Sequence, residues 1–395
     1  MLAMNGGPKV RETPFPAWPQ FDDTEREAVL RALDHGSWSR LGGVEVDAFE
    51  REFAAYHRAP AALAVSNGSH ALELALELIG LRPGDEVLVP AYTFIATSTA
   101  VQRRGGTPVP VDVDPVTHCL DPAQLEAAVT DRTRAVIAVH IGGQVADMDA
   151  ITAFAEPRGV AVVQDAAQAH GATWRGLGLG ELGGLATFSF QKNKVMTAGE
   201  GGALLLPKES YDEAFMRHSC GRAPDLTLRT PSSNFRLSEF GAAILRAQLG
   251  RLPAQTELRE RRYEKLAVGL GSIPGVTLQG RDERCTVHPH YMTTFVLDPE
   301  VLGGLSRDTV VLALLMEGIS AFGTYPAVHR TDAFRTGQAD PAALAGIAAR
   351  CPNAELIGDR GVMIPHQVLL GGDREIDDVV EGVAKVLAEL PRTTA

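Results

Sequence analysis

The strongest constraint on the fold is a series of short apolar segments separated by stretches with helical periodicity, such as residues 122–129. The strand-like segments are residues 61–65, 86–90, 109–113, 135–140 and 160–163. Strands that alternate with helices predict an α/β fold with a mostly parallel, doubly wound sheet, because each crossover returns the chain to the same edge. Polar side chains at the carboxyl ends of such strands gather at that edge, where ligands bind.

The composition is that of a globular protein with a large core. The chain has 395 residues, of which 45% are hydrophobic and 22% are charged, and its net charge is -12. This acidic balance argues against a nucleic-acid or anionic-membrane partner, since both require a basic surface. No run approaches the ~18 apolar residues of a membrane span, and the N-terminal residues lack a signal-peptide core.

The cysteine pattern indicates the cellular compartment and argues against a cysteine-based metal site. The four cysteines are far apart, with neither a CxxC pair nor zinc-like spacing. We therefore expect reduced, mostly packed thiols, no metal site and a cytoplasmic protein.

We expect three parts along the chain. Residues 1–20 form an N-terminal tail or arm, of which the first 13 residues are expected to be loose. Residues 21–250 form a large cofactor-binding domain. Residues 251–395 form a smaller C-terminal α+β domain, reached through a charged helix from about residue 249 to residue 269.

The stretch that carries most of the chemistry runs from Asp165 to Gly202. Asp165 closes an apolar strand, and Lys194 follows a second strand-like segment and precedes a glycine-rich turn. This order suits a pyridoxal phosphate enzyme, because a lysine amine forms an imine with a carbonyl and a carboxylate pairs with a protonated pyridine nitrogen. Taken singly, such an Asp is more often a helix cap and such a lysine a surface charge. Their combination favours the functional interpretation.

Two further strand ends carry candidate ligand groups. The turn Ser66-Asn-Gly-Ser69 joins a strand to a helix, and free backbone N–H groups at a helix start bind phosphate. An ordinary capped helix is the alternative. Tyr92 and Phe94 follow the next strand, where an aromatic ring either stacks on a flat cofactor or belongs to the core.

Several motifs together resemble the DegT/DnrJ/StrS family of sugar and cyclitol aminotransferases, over nearly the whole chain. They are Asp165-Ala-Ala-Gln168, Phe188-Ser-Phe190, Gly199-Glu-Gly-Gly202, Asn234-Phe-Arg236 and Thr324-Tyr-Pro-Ala-Val-His329. One departure is Leu237, where the family has methionine. The resemblance implies the fold type I of pyridoxal phosphate transferases, which is aspartate aminotransferase-like. It also implies a homodimer with shared active sites, a glutamine or glutamate amino donor and a cyclic keto substrate.

The resemblance carries roles onto individual residues. It implies that Lys194 and Asp165 are catalytic. The implied cofactor contacts are Gly68, Ser69, Phe94, Asp165, Gln168, Ser189, Lys194 and, from the neighbouring subunit, Asn234. The candidate substrate contacts are Tyr92, Lys192, Arg236, Tyr325 and His329.

Two of these assignments have alternatives. Lys192 competes with Lys194, but four residues separate the family's lysine from Gly-Glu-Gly-Gly, and that spacing favours Lys194. Arg236 and Glu239 are three positions apart and also fit a pair on a helix surface.

Three competing motifs are weak. The GxGxxG string at residues 178–183 lacks the strand-then-helix context of a dinucleotide site, so we expect a turn. The SxxK string at 189–192 has no KTG companion. His288-Pro-His290 has no acidic or cysteine partner at a ligand spacing, so packed histidines are expected there.

The substrate is approached through a branch of the family. Phe15-Pro-Ala-Trp-Pro, Met196-Thr-Ala-Gly and His218-Ser-Cys-Gly-Arg resemble the 3-amino-5-hydroxybenzoate synthase branch, whereas Lys192-Asn193 and His329 depart from it. The working hypothesis is transamination of a cyclic ketone, namely a cyclitol, an aminoshikimate-type ring or a keto-sugar, in secondary metabolism. The alternative is an enzyme that dehydrates and aromatises a carbocyclic substrate. A non-catalytic sensor that binds the cofactor is the third hypothesis.

Overall fold

The fold is known from a computed structural model, which describes residues 1–223, 225, 227–336 and 340–390. The strands are β1 Ala61–Val65, β2 Glu86–Pro90, β3 Thr107–Val111, β4 Thr133–Val139, β5 Ala161–Asp165, β6 Thr173–Trp174, β7 Leu177–Gly178, β8 Leu185–Ser189, β9 Gly202–Leu206, β10 Val276–Leu278, β11 Cys285–Val287, β12 Met292–Leu297, β13 Phe322–Gly323 and β14 Gly361–Pro365. The α-helices are α1 Asp23–His35, α2 Glu45–Tyr56, α3 Gly68–Leu78, α4 Ala96–Arg103, α5 Leu125–Ala128, α6 Met148–Ala155, α7 Tyr211–His218, α8 Glu239–Gly271, α9 Pro299–Leu302, α10 Arg307–Met316, α11 Asp332–Arg335, α12 Pro341–Arg350, α13 Pro352–Arg360 and α14 Asp373–Glu389.

A seven-stranded sheet in the order β1-β9-β8-β5-β4-β2-β3 forms the centre of the larger core. Only β9 runs against its neighbours among these strands, so the sheet is mixed but mostly parallel. Every residue of β2, β8 and β9 is buried, which explains why these strands are continuous apolar runs rather than alternating ones. The α/β fold class predicted from the sequence is confirmed.

A second sheet lies in the C-terminal part of the chain. It is antiparallel, with the order β10-β12-β14-β13, and the apolar faces of α10 and α14 belong to the same core. Helix α8 spans 33 residues and contributes to both cores through Leu252 and Leu270. The boundary expected near residue 250 therefore falls inside a continuous helix. The GxGxxG string forms β7 and a 3-10 turn, as expected.

The N-terminal residues are packed rather than loose, which corrects the expectation for the first 13 residues. Leu2 is buried in the C-terminal core, and the Ala3 N–H donates to Glu317 Oε1 at 2.7 Å. Arg11 donates to Asp378 Oδ2 at 2.6 Å and to Glu375 Oε1 at 2.8 Å. Since these partners lie more than 300 positions away, no local pattern in the sequence announces them.

Glu239 has a structural role that differs from a surface pair with Arg236. Its side chain is buried and accepts from the backbone N–H groups of Glu45 at 2.6 Å and Val46 at 3.2 Å. These donors belong to the first turn of α2, which has no side-chain cap of its own. Arg236 instead donates to Ser219 Oγ at 3.1 Å.

The described residues lack two kinds of feature. Within these ranges no helix combines the length and the apolar character required to cross a membrane. Nor do the same residues contain a group of three or more His, Cys, Asp or Glu side chains placed to hold a metal ion. His288 and His290 are both buried, and the His290 N–H donates to His288 Nδ1 at 3.0 Å.

The Arg11 ion pairs give a stability test. Replacing Arg11 with Met removes the cation between Asp378 and Glu375 and leaves two partly buried carboxylates without it. We expect the free energy of unfolding to fall by about 3 kcal/mol, because an uncompensated charge stays in the interior. Urea unfolding followed by circular dichroism measures this. Arg11→Lys keeps the charge but loses the guanidinium group that reaches both carboxylates. Its free energy of unfolding should therefore lie between those of Arg11→Met and the wild type. Equal stability of all three proteins would contradict the assignment.

Candidate active site

Asp165 ends β5 at the carboxyl edge of the large sheet, where it is buried. Its Oδ2 accepts from Thr97 Oγ1 at 2.8 Å, and its Oδ1 accepts from the Ala167 N–H at 3.2 Å. Burial raises the pKa of Asp165, while the two hydrogen bonds and the nearby Lys194 amine oppose that rise. A carboxylate held in this way suits a protonated ring nitrogen, which would supply the full positive partner that it lacks.

Lys194 lies in the turn after β8, and its side chain enters the same region. The amine is 4.5 Å from the centre of the Tyr291 ring. Burial lowers the pKa of Lys194, although Tyr325 and Asp165 oppose this shift. A lowered pKa increases the neutral fraction of the amine, which is the nucleophilic form. Lys192 is exposed, so the structure places Lys194 rather than Lys192 beside Asp165.

An anion cradle forms where α3 begins. Asn67 caps this helix by accepting from the His70 N–H at 2.8 Å, and its carbonyl accepts from the Ala71 N–H. Among the described residues, the N–H groups of Gly68 and Ser69 have no acceptor. Two free donors at the start of an 11-residue helix are suited to a phosphate.

The walls of this cradle are set by close backbone packing. A Cβ on Gly68 would lie 2.7 Å from Ser189 Cβ, so the turn lies directly against the end of β8. A Cβ on Gly202 would lie 2.5 Å from the carbonyl carbon of Asn67. The structure therefore brings together Gly68, Ser69 and Ser189, three of the residues predicted to contact phosphate.

Aromatic side chains line the region next to Lys194. Phe94 is 52% exposed, so one face of its ring is open, and its ring centre is 5.6 Å from that of Tyr325. Tyr291 lies close enough to Tyr325 for the two hydroxyl groups to affect each other's pKa. Tyr92 is only 1% exposed and packs behind Tyr325 with a ring separation of 6.3 Å. Tyr92 therefore supports the wall from the core side, and the structure does not bring it to the open face.

Gln168 is oriented by one hydrogen bond. Its side chain is buried, and its Oε1 accepts from the Gly142 N–H at 2.7 Å. Because the carbonyl end of the amide is held there, the amide nitrogen is the end that remains to donate to a ligand.

The remaining predicted residues lie in different surroundings. Asn234 is exposed, and its Oδ1 accepts from the N–H of Arg236 at 3.2 Å. His329 is 3% exposed, and its Nε2 lies 2.6 Å from Glu355 Oε1. Burial lowers the pKa of His329 to about 4. Its imidazole is thus a neutral, packed group beside Glu355, and the structure does not present it as an open substrate contact.

Sequence reasoning missed two residues of this site. Thr97, which donates to Asp165, lies in the first turn of the helix after Phe94, so a strand-end aromatic followed by a helix start is a usable signal. Tyr291, which contacts Lys194, directly precedes a strand of the other sheet. Nothing in the local sequence relates Tyr291 to Lys194.

A pair of glycine substitutions tests the cradle packing. Gly202→Ala forces its new methyl group against Asn67, and we expect it to destabilise the protein by about 1–3 kcal/mol. Gly250→Ala is the control, because a Cβ there meets nothing within 4 Å inside α8 and should stabilise the helix by about 0.5–1 kcal/mol. In urea unfolding, the free energy of unfolding should fall for Gly202→Ala and rise for Gly250→Ala. An unchanged free energy of unfolding for Gly202→Ala would refute the close packing.

Comparison with known proteins identifies the family. The sequence profile of the DegT/DnrJ/EryC1/StrS aminotransferase family matches residues 19–384. The chain is 49% identical over 383 residues to the 3-amino-5-hydroxybenzoate synthase of Amycolatopsis mediterranei (strain S699), covering 95% of this chain and 97% of that protein. It is 35% identical over 418 residues to the L-glutamine:2-deoxy-scyllo-inosose aminotransferase of Micromonospora echinospora, covering 98% of each.

A solved structure agrees with these relatives. The crystal structure of a 3-amino-5-hydroxybenzoic acid synthase superposes with a TM-score of 0.92 at 48% identity, covering 96% of this chain and all of that one. The resemblance inferred from the motifs is confirmed. The chain belongs to the DegT/DnrJ/EryC1/StrS aminotransferase family, and it is an enzyme whose cofactor is pyridoxal phosphate.

Proposed function

We propose that the enzyme removes water from a six-membered carbocyclic amino ketone and aromatises the ring, as a synthase of the 3-amino-5-hydroxybenzoate type. The observation that carries this proposal is the 49% identity over 95% of the chain, against 35% for the inosose aminotransferase. It favours the alternative of the sequence analysis over the working hypothesis of transamination. The aromatic wall formed by Phe94, Tyr325 and Tyr291 supports it, because aromatic faces pack well on a flat ring.

The residues of the site fit the cofactor. The N–H groups of Gly68 and Ser69 and the Ser189 hydroxyl would hold the phosphate, since they form one cradle. The Asp165 carboxylate would hold the ring nitrogen, and the Gln168 amide nitrogen would donate to the phenolic oxygen. Phe94 would pack on the ring. Bound pyridoxal phosphate supplies an electron sink for the electrons released when a C–H bond next to the substrate nitrogen breaks.

Lys194 is proposed to move the protons. Its lowered pKa keeps a usable fraction of the amine neutral, so it takes the ring C–H proton as a general base. The departing hydroxyl requires a proton of its own, and we assign this proton to the Tyr325 hydroxyl because it lies near Lys194. The Lys194 ammonium then returns a proton to Tyr325. The net change is the loss of one water molecule from the ring, so neither an oxidant nor an amino donor is consumed.

Transamination is the second candidate. It is favoured by the similarity to the L-glutamine-dependent enzyme over 98% of the chain, and by the Lys192-Asn193 departure from the synthase branch. The same Lys194 would then transfer a proton between two carbons, with glutamine or glutamate as the donor. A non-catalytic sensor is disfavoured, because a sensor has no need of a lysine amine with a lowered pKa beside Asp165.

We also propose a homodimer with shared active sites, in a reducing, cytoplasmic compartment. Asn234 is exposed on its own subunit, where its side chain bonds only its neighbour Arg236 among the described residues. An apolar groove lined by Phe21, Leu30 and Ala198 lies beside the glycine turn, and 60% of Phe21 is exposed. Such a surface suits burial by a second copy. The four cysteines are free thiols, in keeping with the compartment.

The reaction is tested with an amino-dehydroshikimate-type ring in the absence of any amino donor. We expect an aromatic amine, detected by its ultraviolet absorbance and its mass, with Lys194→Ala losing at least about 1,000-fold in kcat. Lys192→Ala is the matched control and should keep most of the activity, because its side chain is exposed.

Other outcomes of this assay separate the hypotheses. No aromatic product, together with conversion of the cofactor to its amine form by glutamine or glutamate, would make the enzyme an aminotransferase. A lysine-bound cofactor that reacts with neither the ring nor any amino donor would leave only the sensor. A cofactor attached to Lys192 after borohydride reduction would overturn the lysine assignment.

Shared sites are tested by mixing two inactive variants. Subunits with Lys194→Ala and subunits with Asn234→Ala each fail alone, but a hybrid dimer contains one intact site if Asn234 acts across the interface. Random assortment should restore about a quarter of the wild-type activity, after light scattering has confirmed dimers. No recovery after verified subunit exchange would place Asn234 in its own subunit's site, and an active Asn234→Ala protein would place it outside both sites.

A further inference from the structure

The loop that carries Lys194 belongs to no helix or strand, so its backbone must be fixed in another way. Three of its internal hydrogen bonds lie around Lys194. The Lys192 N–H donates to the Gly199 carbonyl at 2.8 Å, the Lys194 N–H donates to the Gln191 carbonyl at 2.8 Å, and the Asn193 N–H donates to Gln191 Oε1 at 2.9 Å. These bonds use the donors of the loop but leave the carbonyls of residues 192 and 193 to other partners.

Both of these carbonyls are held by side chains from distant parts of the chain. The indole N–H of Trp18 donates to the Lys192 carbonyl at 2.8 Å. His366 Nε2 lies 3.1 Å from the Asn193 carbonyl oxygen, which can only accept, so this nitrogen carries the proton. Two successive peptide groups immediately before Lys194 are therefore fixed by two residues that no motif assigns to the site.

We propose that Trp18 and His366 are positioning residues that hold the Lys194 loop in its reactive geometry. This inference rests on the proposed role of Lys194 as the cofactor-binding lysine. Holding the two preceding peptide groups fixes the direction in which the Lys194 side chain leaves the backbone, and small errors in that direction cost reactivity.

The two side chains also support each other. The Trp18 and His366 rings meet edge to face at 4.5 Å with an interplanar angle of 87°. On its other side, His366 is 6.0 Å from the Tyr291 ring at 26°, and Tyr291 in turn contacts the Lys194 amine. A continuous series of rings thus leads from the N-terminal arm to the reactive nitrogen. Each ring restricts the rotamers of the next.

Trp18 and His366 both belong to segments outside the large sheet. Trp18 follows the segment that Arg11 ties to α14, where the Arg11 guanidinium also lies 4.4 Å over the Phe15 ring. His366 directly follows β14 of the second sheet and is 1% exposed. Burial lowers the pKa of His366 to about 3, with Arg259 acting in the same direction, so the ring is a neutral donor near pH 7. The loop is therefore held by elements of the C-terminal core.

Three substitutions separate the hydrogen bonds from the ring packing. Trp18→Phe and His366→Phe keep an aromatic ring and remove the donor. His366→Gln removes the ring but keeps an amide N–H at nearly the position of Nε2, so it is the rescue variant. Apo-protein of each variant is mixed with pyridoxal phosphate alone. The rate of attachment is followed by absorbance, and the attached lysine is mapped by borohydride reduction and mass spectrometry. Thermal unfolding of each apo-protein reports folding separately.

We expect attachment to be about tenfold slower in Trp18→Phe and His366→Phe, with part of the label shifting from Lys194 to Lys192. His366→Gln should restore both the rate and the site of labelling. Unchanged rates and unchanged labelling in both Phe variants would overturn the proposal, whatever their melting temperatures. So would slow attachment in His366→Gln equal to that in His366→Phe. A wild-type protein that does not attach the cofactor at Lys194 would instead refute the proposed function.

Discussion

The site depends on burying an acid and an amine at one edge of a sheet. Removing Asp165 and Lys194 from water destabilises the charged form of each, and the structure offsets this only in part. Thr97 and the Ala167 N–H donate hydrogen bonds to the Asp165 carboxylate. The Tyr291 ring and Asp165 itself favour the ammonium form of Lys194. The cost of burying each side chain is therefore only partly compensated within the protein. A ligand with a protonated nitrogen for Asp165 and a carbonyl carbon for the Lys194 amine completes the compensation.

The topology of the sheet explains how these groups meet. Parallel β5 and β8 end at the same edge, which places Asp165 near Ser189. Strand β9 is the exception, because it runs back along β8 and packs its first glycine against Asn67. This reversal makes the chain turn at the edge itself, so the connection from β8 to β9 carries Lys194 over the site. If β9 were a seventh parallel strand, the helical crossover leading to it would carry the chain away from that edge instead.

The sequence predicted the features that depend on local order. Alternating strands and helices put Asp165, Ser189 and the Gly68 turn at strand ends, and a strand end has a fixed position in a parallel sheet. Contacts between distant segments were not predictable in this way. The docking of Leu2, the capping of α2 by Glu239 and the approach of Tyr291 to Lys194 each join residues about 100 or more positions apart.

The direction in which a side chain faces could not be predicted from the sequence either. His329 belongs to a family motif and Tyr92 follows a strand end, yet neither pattern records which way a side chain faces. In the fold, Tyr92 supports Tyr325 from behind and His329 faces Glu355. Tyr92 therefore acts through Tyr325, which together with Phe94 forms the surface that faces the site, whereas His329 is held at Glu355.

The two candidate reactions differ in the proton donors that they require. Transamination moves a proton between two carbons, and a single amine can do this alone. Loss of a hydroxyl group from a ring requires a second donor, because hydroxide is a poor leaving group until it is protonated. The donor that we propose is Tyr325, which lies near both Tyr291 and Lys194. Burial raises the pKa of Tyr291 to about 12 and that of Tyr325 as well, so both hydroxyls hold their protons near pH 7. Since Tyr325 lies in the segment 324–329 that resembles the sugar and cyclitol aminotransferases, the pair is compatible with both reactions, and the dehydration proposal rests on the 49% identity to the synthase.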